Sequence, residues 1–187
     1  MVLIMNSKQM IEQLVGFNTV SRDSNLSLID FVQNYLDDYG ISSTRVVSDD
    51  GEKSNLYATI GPLEAGGVVL SGHTDVVPVD GQDWHTDPFL LTEDSGKLYG
   101  RGTCDMKGFI GIALSLVPDM KSLKRPIHFA LSYAEEIWCR GAPSMIEEMV
   151  TDVPAPEAGT GSYTNLTLPA KASVWHTVVA DALLNTR

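Results

Sequence analysis

The sequence predicts an α/β domain whose mixed, mostly parallel sheet is flanked by helices. Three observations predict it. Two early stretches repeat apolar residues at helical spacing, later apolar runs of strand length are cut off by glycine-rich turns, and those runs lead into short polar segments at one edge. His73, Asp105 and Glu136 each lie in one of those segments.

Taken in order, Met10, Ile11, Leu14 and Val15 make the apolar stripe of a first helix, capped by Ser7 and running to about Phe17. Ser24 or Asn25 caps a second helix over 26–39, where Ile29, Val32, Tyr35 and Leu36 recur at the same spacing and Gly40 stops the run. Both helices are expected to cover a sheet. Strands are expected at Ser43–Val47, 55–60 and 68–71, divided by the turns SDDGEKS and GPLEAGG. The segment PVDGQDWHTDPF reads as irregular, with His85 packing a loop or facing solvent, and LLTEDSGKLYG reads as a hairpin around Asp94-Ser95-Gly96. A helix starting near Asp105 contains the run 109–117, and a central strand covers 127–133 with His128 as a satisfied core histidine.

A chain of 187 residues with 43% apolar content is long enough for one domain with a sizeable core. Its net charge of −11 argues against a nucleic-acid or anionic-membrane partner, because those surfaces demand basic patches. The acids are instead available as ligands for divalent cations. Cys104 and Cys139 are too few for a disulfide scaffold and suit a reducing compartment, and both read as structural or incidental. The start MVLIMNSK lacks the pattern of a secretory signal, and no segment approaches membrane-spanning length. The expected location is the cytoplasm.

VVLSGHTDVVPVD (68–80) is the stretch that organises the rest. Its apolar run ends at Ser71-Gly72, and His73 and Asp75 then stand at the carboxyl end of the strand, the edge where open α/β sheets bind ligands. Residues two apart on a strand share a face, so His73 can hold a metal ion while Asp75 orients its ring. A lone His-x-Asp is common, and the two later stretches give it weight. In GRGTCDMKG (100–108), Asp105 follows two glycines. It is either a helix N-cap or a carboxylate that bridges two cations with its two oxygens. In PIHFALSYAEEIWCRG (126–141), the Glu135-Glu136 pair follows a strand. Glu136 can hold a metal ion while Glu135 accepts a proton from the attacking water and later passes it to the leaving amine.

Five ordered segments together resemble the M20 metallopeptidase and deacylase family, most of all its acetylornithine deacetylase branch. They are FNTVSRDSNL (17–26), KSNLYATIGP (53–62), SGHTDVVPVDGQDW (71–84), LYGRGTCDMKGF (98–109) and KRPIHFALSYAEEIWCRGAP (124–143). The resemblance implies a zinc-exopeptidase-like α/β catalytic domain with two zinc or cobalt ions. In it His73 is a ligand of the first ion, Asp105 the bridge, Glu136 a ligand of the second, Glu135 the general acid/base and Asp75 the residue that orients His73. It also implies a homodimer built through an inserted α+β domain. The substrate is a small N-acyl amino acid, N2-acetylornithine being cleaved to ornithine and acetate in arginine biosynthesis. Another deacylase or a dipeptidase of the family is the neighbouring alternative.

The chain departs from the family pattern at Ala134, where Asp is usual, at Trp138, where glycine is usual, and at 161–164, where a ligating glutamate is absent. KASVWHTVV (171–179) resembles the approach to the dimerisation domain. The expected organisation is therefore a truncated catalytic domain over 1–158 and an altered remnant of that approach over 159–187. Each metal site is then at least one ligand short of the three protein ligands that a catalytic zinc normally has, so activity is expected to be impaired. The non-catalytic alternative is a fragment that binds a divalent ion weakly or associates with a complete subunit.

Overall fold

A computed structural model describes residues 4–154, 156 and 158–160 of the chain. Helix α1 (Ser7–Gly16) begins at Asn6 rather than at the expected Ser7 cap. The Asn6 side chain accepts from Gln9 N at 2.9 Å, and the Gln9 side chain accepts from Asn6 N at 3.0 Å, a reciprocal capping box that satisfies both amides. Ser7 instead pairs its hydroxyl with Ser115 at 2.8 Å. Helix α2 (Leu26–Asp38) follows Asn25, and Gly40 ends the segment with φ of 72°.

Strands β1 (Ser43–Val47), β2 (Ser54–Ile60), β3 (Val68–His73), β6 (Ile127–Ser132) and β7 (Ala158–Thr160) form one sheet in the order β1-β2-β6-β3-β7. The pairs β1–β2 and β2–β6 are antiparallel, whereas β6–β3 and β3–β7 are parallel. The sheet is mixed, as expected, with two parallel and two antiparallel pairs among the described residues. Between β3 and β6 lie the hairpin β4 (Thr92–Asp94) and β5 (Lys97–Tyr99) and helix α3 (Lys107–Ser115), while helix α4 (Ala142–Asp152) connects β6 to β7. The sequence reading did not single out α4 or β7. The segment expected over 159–187, including 161–164 and KASVWHTVV, lies outside the described residues from 161 onward.

Side chains alternate across the central strands and so build two cores. Leu56, Ala58 and Ile60 of β2 and Phe129 and Leu131 of β6 face α1, α2 and α3, packing with Leu14, Leu28, Leu36, Ile110 and Leu114. Tyr57, Val69 and Ala130 face the other way, against Met145 of α4. Gly72 allows the close approach of α3 to β3, since a Cβ there would lie 2.9 Å from Ile110 Cγ1. The chain leaves β3 toward α3 on one face and leaves β6 toward α4 on the other. The carboxyl ends of these two neighbouring parallel strands therefore flank a topological switch point. Among the described residues no helix is long and apolar enough to cross a membrane.

The loop after β6 carries three non-glycine residues in the left-handed region, Ala134 (φ 53°), Trp138 (φ 74°) and Cys139 (φ 50°). Glycine would suit the backbone at 138, and Trp138, 89% exposed, gains little packing in return. Trp138→Gly is expected to raise stability by about 0.5–1 kcal/mol, the relief of a left-handed side chain less the entropy that glycine adds to the unfolded chain. Urea unfolding monitored by far-UV circular dichroism measures it, as a higher midpoint with an unchanged slope.

Candidate metal centre

His73 is the last residue of β3, Asp75 lies just beyond it, and Glu135 and Glu136 follow β6, the strand paired in parallel with β3. The parallel register sets His73 opposite Ser132, so the two loops leave the sheet side by side. Asp105 arrives from the segment before α3. It does not cap that helix, whose N-cap position is Met106 with no side-chain bond. The Asp105 carboxylate instead reaches His73, Oδ1 to Nε2 at 2.9 Å.

The His73 ring is 2% exposed, and its two nitrogens have fixed duties. Nδ1 lies 2.9 Å from the Asp75 carbonyl, which can only accept, so Nδ1 carries the hydrogen. Nε2 is then a lone pair aimed at a carboxylate oxygen unless a cation or a proton lies between them. Burial works against a charge on this ring. The hydrogen bond to Asp105, the Asp75 carbonyl and the negative charges of Asp75 and Glu135 outweigh it, and the pKa rises above the ordinary histidine value.

One ligand atom each from His73, Glu135 and Glu136 lies within 4.8 Å of the others. Glu135 Oε2 is 3.7 Å from His73 Nε2, with the Glu135 side chain 10% exposed, whereas the Asp105 side chain is 63% exposed and forms the open rim. The Glu136 carboxyl is pushed up by burial and by the charges of Asp105, Glu135 and Asp75, while His73 pulls it down. Carboxylates crowded around an imidazole lone pair are the mixed N/O donor set of zinc and similar borderline cations, so these residues fit a divalent ion.

Asp75 adjoins this cluster and meets the His73 ring through both its carbonyl and its carboxylate. The ring is oriented by the Asp75 carbonyl, while Asp75 Oδ1 is 3.7 Å from Nδ1. The carboxylate is engaged elsewhere: Oδ1 accepts from Glu135 N at 3.0 Å, and Oδ2 accepts from Glu136 N at 3.2 Å and from the Ser21 hydroxyl at 2.6 Å. Near it is Lys107, fully buried, its Nζ donating to the Phe17 carbonyl at 2.6 Å. Burial brings the Lys107 amine down to about 7, against the pull of Asp75.

Two buried asparagines staple the same rim. Asn25 donates to the Ser54 carbonyl and to Thr74 Oγ1, both at 2.8 Å, and Thr74 donates to the Ser132 carbonyl at 2.9 Å. Asn55 donates to the Gly141 carbonyl at 2.9 Å and accepts from Tyr133 N at 3.2 Å, closing the loop that holds the glutamates. Sequence reasoning gave no role to Ser21, Asn55 or Lys107. Their only signal was membership of the ordered segments.

Of the remaining candidates, His85 is exposed and His128 is fully buried, bonded through Nδ1 to Thr59 Oγ1 at 2.9 Å. Cys139 Sγ lies 3.9 Å from Glu135 Oε1, and burial followed by the Glu135 charge pushes its thiol up, away from a nucleophilic thiolate.

Residues 69–172 match the family described as peptidase family M20/M25/M40. An acetylornithine deacetylase of Pasteurella multocida (strain Pm70) is 40% identical over 149 residues, covering 74% of this chain and 38% of the relative. An acetylornithine deacetylase of Klebsiella pneumoniae (strain 342) is 43% identical over 122 residues, covering 64% of this chain and 32% of the relative. The match thus spans well under half the length of these relatives. Among solved structures, the M20 family metallo-carboxypeptidase Sso-CP2 from Sulfolobus solfataricus shares the fold at a TM-score of 0.71 and 19% identity, over 84% of this chain and 37% of that one. Human carnosine dipeptidase 1 does so at 0.62 and 23%, over 82% and 38%. With the family match running through His73, Asp75, Asp105, Glu135 and Glu136, the chain belongs to peptidase family M20/M25/M40, a family of hydrolases.

Proposed function

We propose that this chain carries the catalytic part of a metal-dependent amide hydrolase of the acetylornithine deacetylase type, acting on small N-acyl amino acids. The observation that carries the reading is the convergence of His73, Glu135 and Glu136 within 4.8 Å, with Asp105 on the same imidazole. Relatives named acetylornithine deacetylase at 40% and 43% identity favour deacetylation over dipeptide cleavage. The proposed catalytic region is 1–158, with 159–187 leading toward a dimerisation domain, and the proposed setting is a cytoplasmic homodimer.

His73, Asp105 and Glu136 would hold a divalent ion, zinc or cobalt. When bound, such an ion supplies Lewis-acid polarisation of the amide carbonyl and acidifies water. Glu136 suits holding because burial makes its charge costly without a cation beside it. Glu135 suits proton transfer. It accepts a proton from the water that attacks the amide carbon, and it returns that proton to the amine nitrogen as the C–N bond breaks, giving acetate and the free amine. Asp75 holds both glutamates by their amides and His73 by its carbonyl.

Incubation of the purified chain with Zn²⁺ or Co²⁺ and N2-acetylornithine, followed by chromatographic detection of ornithine, tests this reading. Release of no ornithine at any metal loading would count against it. Glu135→Gln is expected to lower kcat about 10²–10⁴-fold while leaving metal content unchanged, as befits loss of a proton carrier. His73→Ala is expected to abolish stoichiometric zinc retention after gel filtration. Dialysis against a chelator should remove activity that added Zn²⁺ or Co²⁺ restores.

A further inference from the structure

We propose that Ser21 is a positioning residue for the Glu135-Glu136 pair, acting through Asp75. The Ser21 hydroxyl sits 2.6 Å from Asp75 Oδ2 and 3.2 Å from the Val76 carbonyl. A hydroxyl has one proton, and the shorter contact to a charged oxygen takes it. The same Oδ2 accepts from Glu136 N, and its sister Oδ1 accepts from Glu135 N. Ser21 and Asp75 are each 2% exposed, so water does not offer a substitute donor.

The chain around Ser21 is built to hold that hydroxyl in place. Ser21 N donates to the Val76 carbonyl at 3.0 Å, and Val76 N donates to the Thr19 carbonyl at 3.0 Å, making a parallel bridge between Val20 and Val76. Thr19 Oγ1 donates to the Thr74 carbonyl at 2.6 Å, and Lys107 Nζ holds the Phe17 carbonyl. Residues 19–21 are thereby zipped along 74–76, the segment that follows His73, while Lys107 pins the chain just before them. The two amides hold one oxygen each, Glu136 N at the longer 3.2 Å, and the Ser21 hydroxyl at 2.6 Å stiffens that weaker-held Oδ2 against rocking about the Cβ–Cγ bond. Because the two amides belong to consecutive residues, turning that plane moves both glutamates relative to His73 together. Ser21 thus sets the distance between the imidazole and the acid pair without touching substrate or metal.

This inference rests on the reading of Glu135 and Glu136 as the working pair, so its test includes measurements that need no catalysis. In the metal-free, ¹⁵N-labelled full chain, the Glu135 and Glu136 amide protons are expected downfield, and Ser21→Ala should move both upfield while Ser21→Thr restores them. Zinc affinity by competition with a chromophoric chelator is expected to fall about 10–100-fold in Ser21→Ala and to recover in Ser21→Thr. If the wild-type chain deacetylates, the loss should appear in kcat with KM within about twofold, since outer partners tune the acting groups rather than the substrate contacts.

Unchanged amide resonances and zinc affinity in a folded Ser21→Ala chain would overturn the proposal, even if its melting temperature fell. Should Ser21→Ala not fold, Ser21→Cys keeps the shape with a weak donor and carries the same readings. A wild-type chain that releases no ornithine speaks against the proposed function, and the amide and zinc measurements then decide the role of Ser21 by themselves.

Discussion

A single buried carboxylate, that of Asp75, ties this site together. Burying an ionised acid without partners costs several kcal/mol even after relaxation, so the surrounding chain has to supply hydrogen bonds and opposite charge. It supplies the amides of Glu135 and Glu136, the hydroxyl of Ser21 and a neighbouring buried amine on Lys107. Those four groups come from three stretches far apart in sequence. Satisfying one charge therefore requires the amino-terminal segment, the first residue of α3 and the loop after β6 to meet at one point.

Above that anchor, the protein gathers acids where it has little reason of stability to do so. Asp105, Glu135 and Glu136 surround one imidazole, and the Glu136 carboxyl is pushed up by burial and by its neighbours' charges. Such crowding opposes folding, and a cation that bound only the folded arrangement would relieve it. The loop that presents the glutamates adds left-handed backbone at Ala134, Trp138 and Cys139, a further cost placed beside the same cluster.

The elements that sequence patterns reveal are those whose cause is local. Met10, Ile11, Leu14 and Val15 write α1 in their spacing, Gly40 writes the end of α2, and the run before Ser71-Gly72 writes a strand with His73 at its tip. The α1 cap fell on Asn6 because a reciprocal bond with Gln9 outweighs the serine next to it, and that serine was wanted by α3. The approach of Asp105 to His73 was legible because its loop, glycines followed by an acid, repeats the arrangement at His73. The task of the Asp75 carboxylate was not legible. Its partners lie 54, 60 and 61 residues away, and periodicity carries no information over such separations. The bonds of Asn25 and Asn55 were hidden for the same reason, since Asn25 reads as a helix cap and Asn55 as one more strand residue until their distant partners are in place.

Adjacent residues on a strand face opposite ways, so a Glu-Glu pair would ordinarily send one acid into the cleft and the other away from it. The turn after β6 escapes that rule. Ala134 takes a left-handed conformation, which lets the next two peptide N–H groups aim together at one anion, the geometry of a backbone nest. Here the anion is Asp75 rather than a ligand. With both amides turned inward, both glutamate side chains reach the His73 imidazole, close enough for one to hold a cation while the other moves a proton. The division of labour proposed for Glu135 and Glu136 would thus begin with a backbone conformation at a residue whose own side chain is a methyl group.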